Sequence, residues 1–195
     1  MKVDFVMIFI ILFIVILLIK MYFDSDSYNL KCITSHVDNN TYCVRKRENN
    51  SDVVDLLAKV TIKMKKMVEL MYKHHSSMES VQKLKENFNP KKIKETLPKS
   101  KLVAYSENKG ENMAFCVTKK KGGKNLIDEN TLIFVALHEL AHVMTFSIGH
   151  TEEFWKNFKF LLENAVEFGI YKPINYTENN KEYCGMTIKD NPLFS

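Results

Sequence analysis

The chain has 195 residues, of which 46% are hydrophobic and 26% charged, and its formal net charge is +5. That length suits one domain with an appendage, and that balance excludes a disordered or collagen-like chain. Lysines crowd between Lys83 and Lys101 and again at Lys119, Lys120, Lys121 and Lys124. No arginine or aromatic interleaving accompanies them, so they read as a solvated face; charge alone allows a nucleic-acid partner but does not favour one.

Phe5 to Ile19 is an unbroken apolar run, and Met21-Tyr22-Phe23 extends it past Lys20. As a helix, Asp4 to Phe23 spans about 30 Å, the thickness of a bilayer core. Lys20 can snorkel to the headgroups, and Tyr22 suits the interface. The run is bulky and its exit lacks a small-x-small cleavage site, which favours an uncleaved anchor over a signal peptide. The expected organisation is a single-pass transmembrane anchor at 1–23, a polar Asn-rich stalk at 24–50 and one domain at 51–195. Lys2 flanks one side of the anchor, whereas Lys20, Lys31 and Arg45-Lys46-Arg47 flank the other. The positive-inside rule therefore leans weakly toward a cytosolic domain.

Four cysteines, Cys32, Cys43, Cys116 and Cys184, allow three pairings, one of them Cys32–Cys43 with Cys116–Cys184. Four free or buried thiols fit as well. No C-x-x-C pair is present, which disfavours a structural zinc knuckle.

From Ser51, a plausible N-cap, Val54, Leu57, Thr61, Met64, Val68 and Met71 recur at steps of three and four. They predict an amphipathic helix to about His74. A second helical stretch runs from Met78 to Phe88, before Asn89-Pro90. The period then changes. Residues 102–105 and 113–117 are strand candidates about the turn Asn108-Lys109-Gly110, forming a small antiparallel sheet over about 102–118. Asp128 caps a helix expected to reach about Ser147, with Gly149 ending it. Thr151 caps another, whose buried stripe is Phe154, Phe158, Leu161, Ala165 and Phe168. The tail from Ile170 has little periodicity.

The chemistry lies in His138-Glu139-Leu140-Ala141-His142. Residues at i and i+4 share a helix face, so both imidazoles can reach one zinc ion. Glu139 sits next to the first ligand without coordinating. That is the place of a general base taking a proton from zinc-bound water. Val135, Ala136, Leu140, Ala141 and Val143 supply buried surface without the histidines' help, which argues against a purely structural role for the pair. A catalytic zinc needs a third protein ligand and an open position. His150, after the turn-permitting Gly149, is the first candidate, and Glu163 on the following helix is the alternative. Met186 is a further candidate, as a residue lying beneath the metal, and Tyr176 or Tyr183 as an oxyanion partner.

His138-Glu-Leu-Ala-His142 followed by Gly149-His150-Thr-Glu-Glu-Phe154-Trp155 resembles the WLM and SprT-like metallopeptidases. The closer resemblance is to small WLM-like proteins of large DNA viruses. There the similarity extends from about Leu102 to Phe194 and includes Tyr183-Cys184-Gly185-Met186. The spacing from His142 to His150 is longer than in the cellular WLM proteins. The resemblance implies zinc on His138, His142 and His150, with Glu139 as base. It implies an α+β zincin-like metallopeptidase domain behind the transmembrane helix, acting on a protein or peptide substrate at a host or virion membrane. Met113 to Val117 is expected to be an edge strand that aligns that peptide. The competing expectation is a catalytically silent membrane or virion protein that uses zinc for stability; an intact Glu139 argues against it.

Overall fold

The computed structural model describes residues 5–25 and 29–194. Lys2 and Asp4 lie outside the described residues. Helix α1 (Phe5–Ser25) carries the apolar run. Its span Phe5–Phe23, 19 residues, is long and apolar enough to cross a membrane, and none of it is buried.

The polar segment expected to be a stalk contains structure. Strands β1 (Leu30–Thr34) and β2 (Thr41–Arg45) form an antiparallel hairpin with Cys32 opposite Cys43, and a disulfide joins the two. Tyr42 and Val44 are buried in the main core. Buried Arg45 donates to the Thr96 carbonyl (2.7 Å) and the Thr96 hydroxyl (2.9 Å), and its backbone N–H donates to Glu95 (2.8 Å). Arg45 therefore pairs inside the fold, where composition reads it as solvated.

Helix α2 (Asn50–His75) buries Val54, Leu57, Thr61, Met64, Val68 and Met71, the face expected from their spacing. Asp55, on the same helix, accepts from the Ser35 hydroxyl (2.7 Å) and the His36 N–H (3.2 Å), fastening the hairpin turn to it. Helix α3 (Glu79–Asn87) follows, buried through Val81 and Leu84.

The sheet differs from expectation. Strands β3 (Ile93–Glu95), β4 (Ala104–Glu107) and β5 (Asn112–Phe115) are ordered β3-β5-β4. β5 pairs antiparallel with β4, as the Asn108-Lys109-Gly110 turn requires, and parallel with β3. The strand expected at the edge is thus central, and β3 and β4 are the edges, with β4 the one beside α4. The missed strand lies in the lysine-rich Lys91-Lys92-Ile93-Lys94-Glu95, where only Ile93 signals burial. Glu95 is fully buried because Arg45 and Arg47 pair with it.

Helix α4 (Glu129–Met144) is the hub, packing on α2, α3, β4 and helix α5 (Glu152–Glu167). Asp128 caps α4 by accepting from the Thr131 N–H at 2.9 Å. Thr151 caps α5 by accepting from the Phe154 N–H at 3.3 Å. α4 stops at Met144, short of the expected Ser147, because Thr145 turns to extended backbone (ψ 137°) and its hydroxyl donates back to the Ala141 carbonyl at 2.7 Å. In the turn between β4 and β5, Gly110 has φ +113°, and a Cβ there would lie 2.9 Å from the Val143 methyls. That close approach seats the β-turn on α4.

The tail forms a hairpin, β6 (Lys181–Tyr183) with β7 (Met186–Ile188), about a turn in which Cys184 (φ 52°) and Gly185 (φ 83°) are both left-handed. A Cys116–Cys184 disulfide ties it to the chain just beyond β5. Cys184 N–H donates to the Thr118 carbonyl (2.9 Å) and Gly185 N–H to that of Lys119 (2.8 Å).

Candidate metal and catalytic site

His138 and His142 occupy successive turns of α4, and the loop from Thr145 returns His150 over them. Nε2 of His150 is 3.0 Å from Nε2 of His138 and 3.2 Å from Nε2 of His142. The ligand atoms of all three lie within 4.8 Å of one another. Two tetrahedral zinc ligands at ordinary Zn–N distances stand about 3.3 Å apart. Three imidazoles meeting edge to edge, each with an acceptor-capable nitrogen aimed at the same point, fit that spacing and the borderline-soft preference of zinc. Glu163 is exposed and outside this group.

Burial holds His138 and His142 neutral, the state a metal ligand needs. It pushes His138 down to about 3 and His142 to about 4, and the neighbouring imidazoles add to the effect. Gly149 (φ +87°) supplies the left-handed turn that brings His150 back.

Phe154 lies against the whole triad. It is fully buried, stacked on His142 at 4.3 Å, and its ring is 4.7 Å from His150 and 4.8 Å from His138. Met186, the sequence candidate for a residue beneath the metal, is half exposed on β7 instead. The signal for Phe154 is its place in the helix stripe, which sequence reading assigns to packing alone.

The loop bearing His150 is fastened from two sides. Glu153 accepts from the N–H of Phe146 (2.9 Å), the N–H of Ser147 (3.1 Å) and the Ser147 hydroxyl (2.7 Å). Lys83 on α3 donates to the Val143 carbonyl at 2.8 Å and to that of Thr145, taking carbonyls left free at the end of α4. Neither residue carries a sequence signal for this, since each bonds backbone in an irregular loop.

Glu139 is 5% exposed and borders the same cavity as the triad. Burial raises its carboxyl to about 8, and no hydrogen-bond donor is paired with it among the described residues. Tyr183 lies close enough to feel its charge, and its phenol is raised by burial above all. The Tyr183 hydroxyl donates to the Val103 carbonyl at 3.1 Å. Tyr176 is fully buried and outside the cavity lining.

The cavity measures about 830 Å³ and is walled by β4, α4, the His150 loop and the C-terminal hairpin. Val103 O also accepts from Cys116 N–H at 2.8 Å, which makes Val103 and Cys116 a hydrogen-bonded pair. In an antiparallel ladder such pairs alternate. Tyr105 and Glu107 therefore face β5 as well, and the backbone groups of Ala104 and Ser106 face the open edge.

No family model matches the chain. It is 30% identical over 165 residues to the uncharacterized protein R325 of Acanthamoeba polyphaga mimivirus, spanning 83% of each chain. It is 43% identical over 84 residues to the uncharacterized protein 136R of Invertebrate iridescent virus 6, covering 42% of this chain and 44% of that one. Over 83 residues it is 39% identical to protein 042R of Invertebrate iridescent virus 3, covering 43% and 50%. Among solved structures, Wss1 from Saccharomyces cerevisiae superposes with a TM-score of 0.47 at 16% identity, over 65% of this chain and 89% of that one.

Proposed function

The chain belongs to the same family as the mimivirus protein R325, and we propose that it is a zinc-dependent metallopeptidase of the WLM/SprT-like kind, anchored in a membrane by α1. The observation that carries this is the convergence of His138, His142 and His150 on one point, with Glu139 on the same cavity. His138, His142 and His150 would hold the metal. Zinc bound there supplies Lewis acidity, polarising a carbonyl and making water acidic enough to ionise near neutral pH.

The chain's own residues do the rest. The edge of β4 binds an extended peptide through the N–H and C=O groups of Ala104 and Ser106, the role first expected of residues 113–117. Glu139, buried and unpaired, would be ionised by the positive charge of a cation held on the three histidines, and takes the proton from the attacking water and passes it to the leaving amine. The apolar walls exclude bulk water, strengthening each of these interactions.

The two disulfides favour an oxidising compartment for the domain, the opposite of the side toward which the flanking charges lean. A zinc-stabilised structural protein is the lesser reading, because such a site has no use for an unpaired buried carboxyl on an open cavity. The test is to purify the full-length chain in detergent, measure its zinc, and compare casein cleavage with Glu139→Gln. Wild type should carry zinc and cleave, and the variant should keep zinc while losing about 10²- to 10⁴-fold in rate. A wild type without zinc, or a variant as active as wild type, refutes the proposal.

A further inference from the structure

The mouth of the cavity is apolar in a way the catalytic residues do not require. Four large side chains from four separate segments meet there: Leu102 ahead of β4, Ile148 in the His150 loop, Trp155 on α5 and Met186 on β7. They are left 57%, 91%, 45% and 50% exposed. Single exposed apolar residues are ordinary, but a convergence around one opening marks a contact surface. Ile148 is the sharpest case: it precedes Gly149 and His150 and gains almost nothing from the fold. Deeper in the same cavity, Phe134 and Phe158 continue the apolar surface toward His138.

Resting on the peptidase reading, we infer that the site selects extended peptide segments with a large apolar side chain beside the scissile bond. The open edge of β4 fixes the backbone of such a segment. Side chains of an extended strand alternate in direction, so every second one points into the cavity. A charged side chain there would be stripped of water among Leu102, Ile148 and Trp155 with no partner to replace it, whereas leucine or phenylalanine gains by burial. The charged residues of the lining other than Glu139, namely Lys101, Lys109 and Asp190, are all exposed to water and offer no buried counter-charge.

Trp155 is the only tryptophan in the chain, so the mouth carries its own probe. The full-length chain in detergent is offered otherwise identical peptides with Leu, Phe, Ser, Asp or Lys at each position flanking the scissile bond, and kcat/KM is compared. In parallel the Glu139→Gln variant is titrated with the same peptides, reading Trp155 emission. Leu and Phe peptides should be cleaved at least about tenfold faster than Asp or Lys peptides. They should also bind more tightly and shift the emission to the blue. Ile148→Ser, at a position that makes little contact with the fold, should raise KM for the Leu peptide several-fold and narrow that ratio. A flat profile in both arms overturns the inference and leaves the peptidase reading standing. Selective binding without cleavage upholds the apolar selectivity of the mouth and sinks the peptidase reading, and with it the placement beside a scissile bond. Quenching of Trp155 by a doxyl-labelled lipid in nanodiscs, with no peptide present, seats the mouth on a bilayer and overturns it.

Discussion

Glu153 holds Ser147 twice, accepting from its N–H at 3.1 Å and from its hydroxyl at 2.7 Å. With the Phe146 N–H at 2.9 Å, one carboxylate fixes the loop that delivers His150. Partners of this kind, which orient a ligand without touching the metal, are worth about 10- to 100-fold in affinity. Glu153→Ala should weaken zinc binding by about tenfold, measured by competition with a chromophoric chelator. Glu153→Gln should lose less, since its amide oxygen still accepts. Unchanged affinity in Glu153→Ala would show that the loop holds itself.

The same clamp predicts a pH dependence. Hydrogen bonds from the Phe146 N–H, the Ser147 hydroxyl and the Ser147 N–H lower the Glu153 carboxyl below its ordinary value. A depressed folded pKa contributes stability above the unfolded value, about 4.3, and that contribution is lost as pH falls through the folded value. Amide exchange at Phe146 and Ser147, corrected for intrinsic rates, should accelerate in acid below about pH 4 while helix interiors stay protected. Equal protection across that window would contradict the clamp.

Phe154 is fully buried against all three imidazoles. Phe154→Ala should destabilise the domain by about 3–5 kcal/mol in a denaturant titration, the range for large aromatic truncations in a core. It should also loosen the triad, so that zinc dissociates faster. A loss well under 1 kcal/mol would mean the ring is not part of the packed core.

The Cys116–Cys184 disulfide closes a sequence separation of 68 residues and ties the C-terminal wall of the cavity to the chain beyond β5. Replacing both cysteines by serine should cost about 4 kcal/mol on the chain-entropy account. The Cys32–Cys43 link, with a separation of 11, should contribute less. Alkylation of all four thiols before reduction, in cells producing the protein, would contradict both disulfides and the oxidising compartment they favour.

Much of this architecture is legible in the sequence, where the signal is periodic or chemically specific. The stripe from Val54 to Met71, the Asp128 and Thr151 caps and the His138–His142 spacing each follow from helix geometry. They locate α2, α4 and α5. What escapes is structure without local pattern. β3 hides in a lysine run because its buried Glu95 is satisfied from Arg45 and Arg47, about 50 positions away in sequence. That hidden strand puts β5 in the centre of the sheet and moves the edge proposed to bind peptide to β4. The hairpin at 30–45 reads as polar because its burial depends on contacts with Asp55 and Thr96. Glu153, Lys83 and the mouth-lining Ile148 act through tertiary position alone, which no spacing rule reveals.

The proposed site requires three imidazoles, His138, His142 and His150, to share one zinc ion. X-ray absorption at the zinc edge on the full-length chain tests this most directly. The expected shell is three imidazole nitrogens at about 2.0–2.1 Å with one further light ligand, falling to two imidazoles in His150→Ala. A chain that retains no zinc, or a wild-type shell with a carboxylate in place of the third imidazole, would contradict it.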